Sequence, residues 1–152
     1  MRYLSWLKDD EVKKYMSASL STTIKQLYEY YREITGRESA LIFAVELRRG
    51  RKHIGNVTLQ NIDEIRKCAV FGIMVGDKTQ WGKGYGRLAT ELTVKYAFDQ
   101  LGLKAVRLGV SPKHKEGIHL YKKCRFKVTR RQKQKIIMQI QNKQAVKEKG
   151  IK

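Results

Sequence analysis

The most restrictive feature of this sequence is a buried-strand pattern, a glycine loop and a helix pattern in immediate succession. Residues 68–75 are a near-continuous apolar run, as a buried strand requires. Gly82, Gly84 and Gly86 follow. Leu88, Leu92 and Tyr96 then recur at every fourth position, with Ala89 and Ala97 beside them, until Gly102 ends the helix. A glycine loop entering a helix can turn several backbone N–H groups inward at the helix's positive end, which suits phosphate. Glycine is needed there because a Cβ would hold the backbone off the anion. Two familiar phosphate loops do not fit. The dinucleotide pattern G-x-G-x-x-G is met at Gly82 and Gly84, but Arg87 stands in its third glycine place. The pattern G-x-x-x-x-G-K-[ST] would need glycine at Asp77, and Gly84 follows Lys83 where Ser or Thr should stand. The loop alone leaves two readings, a phosphate cradle or a strand–helix turn with a flexible backbone.

The rest of the chain sets this unit in a mixed α/β pattern. Asp9, Asp10 and Glu11 place acid at the start of a short helix running to about Met16. Ser21, Thr22 and Thr23 supply caps for a second helix, whose face carries Ile24, Leu27, Tyr28 and Tyr31 and which Gly36 stops. Residues 40–47, 53–59 and 68–75 read as strands. After the long helix, residues 104–110 read as a strand, 115–124 as a short helix, and 126–131 with 134–140 as a closing hairpin. The order predicts one sheet with helices on both faces. A single domain over residues 1–142 and a polar, basic tail over residues 143–152 complete the expected organisation.

Composition narrows the class. The chain has 152 residues, one proline and 41% hydrophobic residues, which suits one core and argues against long disorder. No apolar run reaches the roughly 20 residues of a membrane span, and the first residues lack a signal-peptide pattern, so a cytoplasmic protein with no membrane partner is expected. Cys68 and Cys124 fit neither a disulfide framework nor, with His53, His114 and His119, a zinc site; no metal is expected, and both cysteines read as small buried hydrophobes. The net charge is +19, and residues 101–152 carry 16 basic residues against 2 acidic ones. Such a surface attracts polyanions, whether nucleic acid, acidic membrane or a nucleotide cofactor, and charge alone does not choose among them.

The stretch Trp81, Gly82, Lys83, Gly84, Tyr85 and Gly86 resembles the pyrophosphate loop of the GNAT N-acetyltransferases, (Arg/Gln)-x-x-Gly-x-(Gly/Ala), with Gly84 and Gly86 as its small residues. Trp81 in the Arg/Gln place resembles the branch of ribosomal-protein N-terminal acetyltransferases. The opening residues 3–12 look like that branch's first helix, and Ile54, Gly55, Asn56 and Val57 like its second antiparallel strand. Tyr96-Ala97-Phe98 with Leu101-Gly102-Leu103 match the usual end of the pyrophosphate helix. The run from Leu120 and Tyr121 to Phe126 looks like the family's Leu-Tyr-x-Lys-x-Gly-Phe, and residues 56–63 with 73–77 also resemble small aminosugar acetyltransferases. The resemblance covers nearly the whole chain and implies a single-domain GNAT-like α/β fold, a mixed, mostly antiparallel sheet flanked by helices.

It also implies acetyl-CoA as cofactor. The pantetheine would lie along the strand ending at Met74 and Val75, and the pyrophosphate on the N–H groups of Gly82, Lys83, Gly84, Tyr85, Gly86 and Arg87, next to Trp81. The amine would attack the thioester directly in a ternary complex, so no Ser or Cys nucleophile is needed. Tyr121 matches the family's proton donor to the departing thiolate, against the plainer reading that it only packs on Phe126. The position where related enzymes often carry a glutamate base is Val70. Glu46, Asp63, Glu64 and Asp77 read as solvated or structural carboxylates, and no base is assigned. His114 stands where the family often has Asn, as a hydrogen-bond donor to the cofactor, and Arg125 replaces a glycine that would be strained if its φ is positive. The family's first edge strand is missing or displaced, which leaves a sheet edge for a second subunit to cover in a homodimer.

Within acetyl transfer two acceptors compete, a protein N-terminus and a small amine such as an aminosugar nucleotide. A nucleic-acid-associated protein, with ribosome association as a dual role, is a second class, but no reading element accompanies its charge. A family member that binds CoA without turnover is a third, on the strength of Val70 and Arg125.

Overall fold

The computed structural model describes residues 2–16 and 23–144. Helices α1 (Arg2–Lys8), α2 (Asp10–Lys13) and α3 (Ile24–Thr35) precede strands β1 (Leu41–Glu46), β2 (His53–Asp63) and β3 (Cys68–Val75). Helix α4 (Tyr85–Asp99), strand β4 (Ala105–Val110), helix α5 (Lys115–Lys123) and strands β5 (Lys127–Arg131) and β6 (Ile136–Gln141) follow. The strands form one six-stranded sheet in the order β1-β2-β3-β4-β6-β5, and only β3 and β4 run parallel. This is the expected mixed, mostly antiparallel α/β sheet. Among the described residues, β1 pairs with β2 on one side and no strand covers its other side, and no helix is long and apolar enough to cross a membrane.

Alternation along β2 and β3 sends side chains to two faces. Val57, Leu59 and Phe71 join Ala89, Val94 and Ala97 of α4 in the main core, which reaches Val106, Leu108 and Met138 under α5. Met74, one step out of phase with Phe71, packs instead with Trp6, Leu7 and Val12 of α1 and α2. Leu59, Leu103, Val106 and Met138 are at most 1% exposed, each contributing roughly 1.5–3 kcal/mol of apolar burial.

Several expectations change. The opening helix breaks at Asp9, whose side chain accepts from the N–H groups of Glu11 (2.9 Å) and Val12 (3.3 Å) and so starts a new helix. Thr23 and Gln26 form a reciprocal capping box on α3; Ser21 and Thr22, like residues 145–152 of the expected tail, lie outside the described residues. Strand β2 runs on to Asp63, past Leu59. Cys124 is buried as expected, whereas Cys68 is only half-buried and Val70, in the supposedly covered strand, is 40% exposed.

The largest correction concerns α4. Leu88 and Leu92 are 52% and 58% exposed, and Tyr96 36%, while the buried face is Ala89, Thr90, Thr93, Val94 and Ala97. Small residues let the helix lie close on the sheet. The hydroxyls of Thr90 and Thr93 are satisfied at 2.7 Å by the carbonyls of Gly86 and Ala89, so their burial leaves no orphan group.

Candidate active site

The two parallel strands separate. Register pairs join Cys68 to Ala105, Ala69 to Val106 and Val70 to Arg107, and there the pairing stops. Strand β3 continues to Val75 and β4 to Val110 without touching through backbone hydrogen bonds, so a cleft opens between their carboxyl ends. Each strand feeds a loop and a helix, α4 from β3 and α5 from β4, and the cleft lies below both helix N-termini. Crevices at strand carboxyl ends are where ligands bind in sheets with parallel crossovers.

The glycine loop forms one rim. Gly82 (φ 72°) and Gly84 (φ 84°) take the left-handed conformation that a Cβ disfavours. Trp81 donates its backbone N–H to Lys78 O (3.1 Å) and its indole Nε1–H to Val75 O (2.7 Å), locking the loop to the end of β3. The backbone N–H groups of Gly82, Lys83, Gly84, Tyr85, Gly86 and Arg87 donate to no group among the described residues, and no side chain caps α4. Six consecutive free donors at a helix N-terminus suit a diphosphate. Side chains near the loop are already engaged: the Lys83 ammonium with Gln80 (3.3 Å), the Arg87 guanidinium with Glu91 (2.9 Å).

The other rim is α5. Leu120 lies against Gly86, where an added Cβ would come within 3.2 Å of it, and Cys124 Sγ lies 3.9 Å from Arg87 O. Tyr121 packs edge-on against Phe71 (6.4 Å between centroids) and Phe126 (5.9 Å). Burial, with Cys124 beside it, pushes its phenol up to about 12. Among the described residues its hydroxyl makes no hydrogen bond, and it is not a sealed-off polar atom, so it is a protonated donor free for a ligand. Arg125 has φ 70°, the left-handed geometry suspected from the sequence. Its N–H donates to Lys122 O (2.9 Å) and that of Phe126 to Tyr121 O (3.0 Å), the Schellman closure that ordinarily uses glycine.

His114 is the N-cap of α5. Its Nδ1 accepts from Gly117 N–H at 3.4 Å, and its ring stacks on Tyr15 with centroids 4.1 Å apart and planes 9° apart. Burial lowers its pKa, so the neutral, accepting form is favoured. With Nδ1 accepting in the cap, the neutral ring carries its proton on Nε2, which remains a donor.

Sequence reading missed how α2 is fastened. Lys78, just after β3, pairs with Asp9 (2.7 Å) and Glu11 (2.8 Å), which raises its pKa and lowers that of Asp9. At the other end, Tyr15 reaches His114 beyond β4. The α2 segment thus ties together the loops that follow the two splayed strands. No local pattern signals these contacts, which span 67 residues or more. On the sheet face below α1 and α3, Asn56 is 6% exposed and holds Tyr31 Oη (3.2 Å) and His53 Nε2 (2.7 Å), while burial raises the pKa of Tyr3, Tyr30 and Tyr31.

The suggested carboxylates are structural. Lys52 and the Thr79 hydroxyl and N–H hold Asp77 down at about 2. Glu46 pairs with Arg51 (3.4 Å), and Asp63 caps a turn through the N–H groups of Ile65 and Arg66. Val70, in the glutamate place, lies between Gln60 and Arg107 in register, so no carboxylate flanks it there.

Against this geometry stand three comparisons. Residues 1–127 match the family model described as an acetyltransferase (GNAT) domain. The chain belongs to the GNAT acetyltransferase family. The spermidine N(1)-acetyltransferase of Escherichia coli K12 is 30% identical to this GNAT chain over 129 residues, 84% of this chain and 68% of that one. Its Vibrio cholerae counterpart is 34% identical over 73 residues, 48% of this chain but only 42% of that relative's length. The structure of Vibrio cholerae spermidine N-acetyltransferase in complex with CoA and spermine shares the fold, with TM-score 0.82 at 23% identity, covering 91% of this chain and 87% of that one. These named relatives act on a polyamine, which corrects the expectation of a ribosomal-protein or aminosugar branch for this GNAT protein.

Proposed function

We propose that this chain acetylates a primary amine with acetyl-CoA, and that the amine is a polyamine of the spermidine kind. The observation that carries the cofactor is the row of six unpaired amides on the cleft rim. The fit is specific, because α4 has no cap of its own to compete with a diphosphate. Acetyl-CoA, when bound, supplies the acetyl group as a thioester. Gly82, Lys83, Gly84, Tyr85, Gly86 and Arg87 would hold its diphosphate through their main-chain N–H groups, Trp81 fixes the loop, and the backbone of β3 at Met74 and Val75 would flank the remainder. His114 serves the site by closing α5.

Tyr121 holds a proton on its hydroxyl throughout the neutral range. Its raised pKa makes full transfer to a thiolate of pKa near ~8.5 uphill by roughly 5 kcal/mol. We infer that it acts chiefly by donating a hydrogen bond to the departing sulfur, whose negative charge grows as the C–S bond lengthens. The amine must arrive or become neutral before attack, and Asp77, Glu46 and Asp63 are engaged elsewhere.

The relatives' named substrate supports spermidine. The net charge of +19 opposes long-range attraction of a polycation, a repulsion that added salt screens. A thiol-release assay over spermidine, spermine, N-terminal peptides and aminosugar nucleotides tests the reading. Turnover is expected on the polyamines, and Tyr121→Phe should lower kcat about a hundredfold with CoA affinity unchanged. Turnover confined to peptides would refute the polyamine assignment; undiminished kcat in the variant, with chemistry limiting, would remove Tyr121 from its role.

A further inference from the structure

A groove of about 370 Å³ lies on the flank of α5 turned away from α4, against the β5–β6 hairpin. It shares no residue with the glycine loop. Leu120 and Cys124 face α4, whereas Lys115, His119 and Lys122 recur at helical spacing on the opposite flank. Arg131 joins them from β5. It is the cross-strand partner of Ile136, a core residue 4% exposed, and partners in register project to the same face. Lys115, Lys122 and Arg131 make no ion pair among the described residues. Three uncompensated cations around one concavity repel each other, and an anion would relieve them.

The floor is apolar, formed by Pro112, Ile118 and Ile136. A bare inorganic anion would leave that floor unused, whereas a ring carrying a phosphate would use both parts. The volume falls in the range of small-ligand sites, at the lower end. Arg131 and Ile136, two of the seven residues that line the groove, lie beyond residues 1–127, the stretch matched by the family model.

We propose that this groove binds a phosphate ester of mononucleotide size, with the phosphate among Lys115, Lys122 and Arg131 and the ring on Pro112, Ile118 and Ile136. It is independent of the cofactor cleft and of the acetyl-transfer reading.

Calorimetry with adenosine 5′-monophosphate and inorganic phosphate, with and without saturating CoA, tests it. The nucleotide should bind about tenfold more tightly than inorganic phosphate, equally well with CoA present. Lys122→Gln and Arg131→Gln, singly and together, should weaken it at least about tenfold in the double variant, with the melting temperature retained. If the double variant does not fold, the single variants decide, each losing part of the affinity. Unchanged affinity in the variants, or displacement of the nucleotide by CoA, would overturn the assignment. Tighter binding of an RNA oligonucleotide, weakened by the same substitutions, would hand the groove to nucleic acid and overturn it equally.

Discussion

Helices α4 and α5 enter from the two splayed strands in the same way, yet their N-termini are finished differently. Helix α5 closes itself: His114 caps its first turn, and the Schellman bonds through Arg125 and Phe126 close its last. Helix α4 leaves the amides of residues 82–87 unpaired and uses left-handed glycines where a capping side chain would normally sit. A helix terminus without partners costs free energy unless something satisfies it. The contrast is that the start of α4 offers free donors, as the proposed cofactor site requires, while α5 satisfies its own ends around Tyr121.

The largest effect should come from spoiling the open end. Gly84→Val puts a β-branched residue at φ 84° and should reduce CoA affinity about a hundredfold, roughly 2.8 kcal/mol, as measured by calorimetry on folded protein. Retained affinity would make the loop a mere turn.

Next comes the far end of α5. Arg125→Gly removes the left-handed strain on a Cβ-bearing residue at the helix's closing position and should stabilise the fold by about 1 kcal/mol, a rise of about 2–4 °C in Tm. A fall in Tm would mean that the arginine side chain contributes more than its backbone costs.

The smallest effect concerns the cap of α5. The His114 pKa is lowered in the folded protein by burial, so below about 6.5 the unfolded chain takes up the proton more readily. Its contribution to stability is therefore complete above that pH and declines as pH falls towards the folded pKa. His114→Asn keeps an acceptor at the N-cap and should flatten Tm against pH just below 6.5, read by calorimetric scans at a pH series. An unchanged slope would place the titrating group elsewhere.

Much of this was written in local pattern. The apolar run ending at Val75, the glycines at 82 and 84 and the Leu120-Tyr121 pair are short-range signals, because a strand end, a left-handed turn and a helix face each need particular residues at fixed spacing. Period alone misled at α4: leucines at 88 and 92 score as a core face, but close approach to the sheet selects Ala89, Thr90, Thr93 and Ala97 by size. Asp9 read as a favourable first-turn charge and proved to be a cap that breaks the opening helix. Tyr15 on His114 and Lys78 between Asp9 and Glu11 join residues far apart in the chain, so no window of sequence contains them. Trp81, read as a branch marker, fastens the loop through its bond to Val75 O, a role that carries no information on the acceptor.

The central claim is that main-chain donors of α4 hold the diphosphate of the cofactor, and amide NMR during a CoA titration reads those donors one by one. The largest downfield proton shifts should fall on Gly82, Lys83, Gly84, Tyr85, Gly86 and Arg87, with Gly117, already bonded to His114, moving little. Saturable CoA binding that leaves those six amides where they were would contradict the account.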